Sequence, residues 1–419
     1  MLKLLFACPD GSWLDFPALE MAARSGDELV LPEAAELIPL PTGATLTALP
    51  GRYPIGYDRE SNALIPLRYN PYQEGENEVW AVGALLPQGF TRTLLPAITN
   101  HGTELPLLGY TAVGIDEKGQ LLVAALPTDE HDMWHPDLYN TAELPHLISE
   151  KLAEFPHNHT IQQLAKCARE YGCFTAQNIF YRRFEGGLPI SPACNARCIG
   201  CISLQPAECC PSPQNRISQP PTVAEGSEIA LAHLQADPNN IISFGQGCEG
   251  EPSLQGDLAS DIIRAVRQET KQGTINMNTN AGKTSAIAKI IEAGIDSFRV
   301  SMISAIPETY HAYYRPVGYD FANVCQSLRL AQEAGVRVAI NLLAYPGLTD
   351  RVEEMEAWAE LIEKYGVAQV QLRNLNIDPA IMSKLYPGEA GIGTVEMLRW
   401  LEEQLPNVAF GNYSRPVKK

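Results

Sequence analysis

The pattern of apolar and polar positions changes character roughly a third of the way along the chain. Residues 1–150 read as mostly β, with recurrent proline and glycine and little helical periodicity. Thr111–Ile115 and Leu121–Leu126 flank Asp116-Glu-Lys-Gly119, which predicts a hairpin with Gly119 at the permissive turn position. From His159 to Tyr171 the period becomes helical. Ile161, Leu164, Ala165 and Ala168 share one face, and Gly172 is the stop. Residues 151–185 are accordingly expected to form a helical linker.

Beyond residue 186, short apolar strands alternate with amphipathic helices. Leu188–Ser191, Ile241–Phe244, Ile275–Asn278, Phe298–Met302, Val336–Leu343 and Val367–Leu372 are the expected strands. Leu254, Leu258, Ile262 and Val266 mark one face of a helix that ends at Gly273, and further helices end at Gly294, Gly335 and Gly366. Glycine suits the left-handed position that closes a helix, and a strand follows each time. A last helix is expected over 393–404. Such alternation implies right-handed βαβ units on a parallel sheet. Six units can close into a partial barrel or lie as an open doubly wound sheet, and periodicity alone does not choose. The expected organisation is a β-rich domain over 1–150, the linker, an α/β domain over 186–405 and a tail over 406–419.

Composition narrows the functional classes. The chain has 419 residues, 45% of them hydrophobic and 19% charged, enough for a sizeable core. Its net charge of −18 opposes long-range attraction to phosphate, so nucleic acid is not an expected partner. There is no run of about 18 apolar residues, so no transmembrane helix is expected. The opening MLKLLFAC resembles a lipoprotein leader only briefly. Its apolar run, Leu4–Ala7, is too short for a signal core and reads as a first strand. A cytoplasmic location follows as the expectation, and there clustered cysteines suggest metal rather than disulfides.

Ten cysteines are unevenly spread. Cys8 and Cys325 are isolated, and Cys167 and Cys173 form a loose pair. Cys194, Cys198, Cys201, Cys209, Cys210 and Cys248 crowd the middle. In Leu188-Pro-Ile-Ser-Pro-Ala-Cys194-Asn-Ala-Arg-Cys198-Ile-Gly-Cys201 the spacing is Cys-x3-Cys-x2-Cys. Three thiolates on one short loop can wrap an iron–sulfur cubane and leave one iron open. An open position at a metal is where a ligand can react. A zinc knuckle completed by Cys209 or Cys210 is the competing reading of the same residues.

This spacing, after the first predicted strand of the α/β region, resembles the signature of the radical S-adenosylmethionine (radical SAM) superfamily. The resemblance covers roughly residues 186–405. It implies a (βα)6 partial TIM barrel preceded by the β-rich domain, and a [4Fe–4S] cluster held by Cys194, Cys198 and Cys201. In the family the open iron binds the amino and carboxylate groups of SAM. An electron from the cluster then cleaves SAM, producing a 5′-deoxyadenosyl radical that takes hydrogen from substrate. The second predicted strand runs into Phe244-Gly-Gln-Gly-Cys-Glu-Gly-Glu-Pro-Ser253. Within it Gly250-Glu251-Pro252 resembles the family's glycine–glutamate motif, which contacts the SAM amino group. Glu249 is a competing carboxylate. Asn280, Ser301 and Asn341 stand near the ends of later strands, where the resemblance places the methionine and ribose of SAM. The stretch Glu308–Pro316, with Arg315, resembles the loop after the family's fourth strand. One departure is Gly200, where the family usually carries an aromatic residue; Ile199 is the neighbouring side chain able to substitute for its packing.

Cys248 sits inside the glycine–glutamate loop, where it could be an auxiliary cluster ligand, a hydrogen donor or a spectator. Cys248 and Arg315 are the candidate catalytic residues, and a second cluster is possible from the remaining cysteines. Asp129, His131, Asp132 and His135 form a local polar cluster, read as a solvated loop. The resemblance also implies a low-potential electron donor such as flavodoxin or ferredoxin. It leaves the substrate open, with a small molecule or peptide favoured. Two rival readings remain: a zinc-holding interaction protein, and an iron–sulfur electron carrier that does not bind SAM.

Overall fold

A computed structural model describes residues 2–99, 103–129, 132–205 and 212–417. Cys209, Cys210 and His131 fall outside the described residues. The chain divides into two compact units. One comprises Met1–His131, Leu343–Ala359 and Leu372–Pro406; the other comprises Asp132–Leu342, Glu360–Gln371 and Asn407–Lys419.

The first unit is built on an antiparallel sheet. Strand Lys3–Ala7 pairs with Trp13–Met21, Val113–Ile115 and Trp80–Leu85. Side chains alternate across a strand, so Leu5 and Ala7 enter one apolar cluster with Val82, Val113 and Val123. Phe6 enters another with Cys8 and Val79. The opening apolar run is thus an interior strand covered on both faces. The expected hairpin forms between Val113–Ile115 and Leu121–Pro127. Asp116 Oδ1 accepts from the amides of Lys118 and Gln120, and Gly119 has φ +83°. Later residues of this unit are tied in by a buried ion pair, Arg52 to Asp378 at 2.5 Å.

In the other unit, helix His159–Glu170 is capped by Asn158, whose side chain accepts from Ile161 N at 3.1 Å. Seven parallel strands then pair in sequence order: Glu185–Gly187, Ile241–Phe244, Thr274–Thr279, Ser297–Met302, Arg337–Ala344, Gln369–Asn374 and Ala409–Gly411. This is the predicted α/β partial barrel with a β-rich N-terminal region. Two details differ from expectation. The first strand lies at Glu185–Gly187, three residues before the apolar run that signalled it. Glu185-Gly-Gly has no apolar pattern because its side chain faces a polar interior, while Leu188 only continues the ladder through Ser243 O at 2.9 Å. The seventh strand comes from Ala409–Gly411, too short to register as a period.

The middle strands alternate cleanly. Ile275 and Met277, Phe298 and Val300, and Val338 and Ile340 are buried on one face. Asn276 and Arg299 between them, and Asn341 next to Ile340, fall on the other. Helices Thr284–Ala293 and Phe321–Glu333 end at Gly294 and Gly335, with φ +97° and +68°, as their spacing predicts. Among the described residues, no helix is long and apolar enough to cross a membrane.

Candidate functional site

The cysteine loop follows the first barrel strand and is held from two sides. On one side the glycine–glutamate loop donates Gly250 N to Ser191 O at 2.7 Å and Glu251 N to Ala193 O at 2.8 Å. A Cβ on Gly250 would stand 2.0 Å from Ala193 O. Glycine is therefore required here by the approach of one loop to the other. On the other side, helix Pro307–Tyr314 presents its C-terminal carbonyls. Tyr314 O accepts from Arg197 N at 2.9 Å and Tyr313 O from Ile199 N at 3.3 Å, while Val317 N donates to Asn195 O at 2.8 Å. The Glu308–Pro316 stretch thus serves as a backbone clamp as well as an aromatic wall.

All three cysteines are half-buried. Burial pushes the Cys194 and Cys198 thiols up. Burial also works to raise Cys201, but hydrogen bonds from Ser203 and the charge of Arg216 outweigh it and lower the thiol. Arg216 Nη2 lies 3.7 Å from Cys201 Sγ, and its Nε donates to Ser203 Oγ at 3.0 Å. Neither Ser203 nor Arg216 carried a spacing signal in the sequence. Among the described residues, no three His, Cys, Asp or Glu side chains converge on a point for a single ion. A cubane places each thiolate on a different iron, so such convergence is not its requirement.

The two competing carboxylates separate by their partners. Glu249 Oε2 accepts from Ile190 N at 2.8 Å and Ser191 N at 2.9 Å, and its Oε1 from Gly245 N at 2.5 Å and Gln246 N at 3.2 Å. An ionised carboxylate offers about four acceptor sites; on Glu249 backbone amides take them all. Burial raises Glu249 to about 7 against the pull of these amides. Glu251 accepts from Ser253 N at 3.0 Å, Thr279 Oγ1 at 2.5 Å and Asn280 N at 2.7 Å. By the same count one acceptor site on Glu251 remains. Burial raises its pKa too. Pro252 starts a short helical turn capped by Glu251.

Asn280 bridges back to the cysteine loop, its Nδ2 donating to Asn195 Oδ1 at 2.7 Å. Gly282 N donates to Asn280 Oδ1 at 2.9 Å. Ser301 and Asn341 are direct register partners on adjacent strands. The Asn341 Oδ1 atom is buried and has no hydrogen-bond partner. An orphaned acceptor of this kind costs roughly 1–3 kcal/mol unless a ligand or water satisfies it. The two other candidates are Arg315 and Cys248. Arg315 is exposed, at the left-handed end of helix Pro307–Tyr314 with φ +46°. Cys248 is buried, and its carbonyl accepts from Ile217 N at 2.8 Å.

Aromatic packing closes the region. Tyr310 stacks on Tyr314 with ring centroids 4.5 Å apart, and its hydroxyl meets that of Tyr319 at 3.3 Å. A Cβ on Gly282 would strike the Tyr319 ring at 2.4 Å. Burial raises all three tyrosines well above their ordinary range, so they stay neutral.

Residues 188–362 match the family model described as the radical SAM superfamily. The GTP 3′,8-cyclase of Arabidopsis thaliana mitochondria is 28% identical over 167 residues, and the match spans 39% of this chain and 39% of the cyclase. A radical SAM methyltransferase structure from Sphaerobacter thermophilus aligns at 18% identity and TM-score 0.39, over 54% of this chain and 64% of its own. The FeFe-hydrogenase maturase HydG from Carboxydothermus hydrogenoformans aligns at 16% identity and TM-score 0.39, over 64% of this chain and 71% of its own.

Proposed function

Taking residues 188–362 as a domain of the radical SAM superfamily, we propose that the chain holds a [4Fe–4S] cluster through Cys194, Cys198 and Cys201 and binds SAM beside it. When bound, the cluster supplies the electron that cleaves SAM reductively to a 5′-deoxyadenosyl radical, and the radical abstracts hydrogen from substrate. The residues of this chain position these groups. The two-sided clamp on the cysteine loop orders three thiols before any cofactor arrives, which lowers the entropic cost of binding. Arg216, directed at Cys201 Sγ, offsets negative charge on that side of the donor set. The spare acceptor site of Glu251 suits an ammonium group, and Asn341 Oδ1 suits a hydroxyl or N–H donor. The buried tyrosines exclude water, which protects a radical from quenching.

The observation that carries this reading is the contrast between a saturated Glu249 and a Glu251 with acceptor capacity left, next to a clamped three-thiol loop. A small molecule or peptide substrate fits the acidic chain better than nucleic acid does. GTP is a reasonable first assay compound, given the 28% match to the cyclase. A low-potential donor such as flavodoxin or ferredoxin would supply the electron. An auxiliary cluster would need ligands beyond the three-thiol loop.

The test is anaerobic reconstitution followed by SAM and dithionite. The protein is expected to take up iron and sulfide and to release 5′-deoxyadenosine. Cys198→Ala is expected to lose both. A brown protein that never releases 5′-deoxyadenosine would instead be an electron carrier, and a colourless zinc-loaded one would sink the cluster assignment.

A further inference from the structure

The three sulfurs of the cysteine loop do not have the same surroundings. Arg216 Nη2 donates to Cys201 Sγ at 3.7 Å, and Arg216 Nε donates to Ser203 Oγ at 3.0 Å. Ser203 Oγ itself lies 3.5 Å from Cys201 Sγ. A guanidinium can only donate, so the serine oxygen is the acceptor in its bond with Arg216. The hydroxyl proton is thereby left for Cys201 Sγ. Arg216 thus presents its own charge to the sulfur and also sets the direction of the serine's hydrogen bond. Cys194 Sγ, by contrast, accepts from one backbone amide, Ala196 N at 3.4 Å. Among the described residues, no side chain donates to Cys194 or Cys198, and no carboxylate pairs with Arg216.

Both ends of this donor group are anchored. Gln205 Nε2 donates to Ile199 O at 3.1 Å and to Cys201 O at 2.8 Å, which fixes the backbone that carries Cys201. Ile217, next to Arg216, donates its amide to Cys248 O at 2.8 Å, in the glycine–glutamate loop. A Cβ on Gly247 would stand 2.7 Å from Gln214 Oε1, so the segment before Arg216 packs on that same loop. Ser203 is buried and Arg216 half-buried, which limits solvent screening of the charge.

We propose that Arg216 and Ser203 are positioning residues that raise the reduction potential of the cluster by acting on Cys201. The inference rests on the cluster assignment proposed above. Reduction moves one electron from a low-potential donor of the flavodoxin or ferredoxin class. The donor is oxidised by one electron and the cluster reduced by one; no proton moves and no bond to the chain forms or breaks. The three-thiolate site becomes more negative by one charge. A cation and two hydrogen bonds at a ligating sulfur favour that more negative state, so they raise the potential. Because Arg216 orients Ser203, the two contributions are coupled rather than additive.

The test uses full-length protein reconstituted without oxygen. Iron and sulfide are measured first, and the potential is then read by a mediated titration followed by electron paramagnetic resonance. Arg216→Gln is expected to keep its iron and sulfide, while its reduction equilibrium falls about tenfold, which is about 59 mV for one electron. Arg216→Lys keeps the charge without the fork and should fall less. Ser203→Ala should also fall less, and the double variant by less than the sum of the singles. Arg399→Gln, which removes an exposed charge paired with Glu396, should leave the potential unchanged. A wild-type potential in a fully loaded Arg216→Gln would overturn the proposal, as would an equal fall in Arg399→Gln. Should Arg216→Gln lose its cluster, wild-type potentials in both Arg216→Lys and Ser203→Ala would overturn it. A wild-type protein that takes up no iron and sulfide fails at the first measurement, which sinks the radical SAM reading itself and is thereby distinguished from a failure of this inference.

Discussion

The polar interior of the parallel sheet and the loops that follow its strands are both rich in buried charge, yet they settle it in opposite ways. In the interior, Glu185 is ion-paired to Arg299 and accepts from Ser414, from Ser243 Oγ at 2.6 Å and from Gln246 Nε2 at 3.2 Å. Arg299 in turn donates to Ser243 and Ser414 at 2.8 Å. Burial pushes Glu185 up, but Arg299 and these hydroxyls overwhelm it and hold the carboxyl at about 2. The group is closed: charge meets charge and the lone pairs are used. In the loop after the second strand, by contrast, Glu251 has three donors and a raised pKa, and farther along the sheet Asn341 Oδ1 has none at all. Barrels of this type usually keep stability and activity at different places along their strands. Here the difference shows in hydrogen-bond accounts: the Glu185 group is complete, whereas Glu251 and Asn341 keep acceptor capacity.

The comparison breaks most easily at Glu185. Glu185→Gln leaves Arg299 buried without a counter-ion, and we predict a loss of about 3–5 kcal/mol in stability. Urea unfolding followed by circular dichroism measures it. A loss under about 1 kcal/mol would mean that the interior cluster is not a closed unit.

His233 tests the same region by pH. It is buried, its Nε2 lies 3.1 Å from Phe184 O, and burial lowers its pKa from 6.5 to about 4. A neutral histidine of this kind contributes its full stability above pH 6.5 and loses it as pH falls toward 4, by roughly 3 kcal/mol in all. The slope of stability against pH should therefore flatten by about one proton between 6.5 and 4 in His233→Gln. An unchanged slope would show that His233 is charged in the fold.

The smallest effect is expected in the loops. Glu251→Gln is predicted to weaken SAM binding about tenfold, equivalent to about 1.4 kcal/mol, while iron content stays the same. Equilibrium dialysis with labelled SAM reads the first and iron analysis the second. Unaltered affinity would remove Glu251 from the site and reopen the question of which acceptor takes the ammonium.

Much of the fold was legible because its signals are local. The Ile241–Phe244 strand, the helix capped by Asn158 and the stop at Gly294 each follow from neighbours a few residues away. The first barrel strand was misplaced for the complementary reason. Glu185-Gly-Gly becomes a strand because Arg299 and Ser414 receive its carboxylate, and both are over a hundred residues distant.

The same division runs through the site. By itself the sequence determined the alternation of strand and helix and the spacing of Cys194, Cys198 and Cys201, since periodicity and ligand spacing are properties of a short stretch of chain. Only the tertiary structure decided that Glu249 is consumed by four backbone amides while Glu251 is not. A side chain's chemistry depends on the partners that desolvate it and bond to it. Those partners are brought together only when the chain folds.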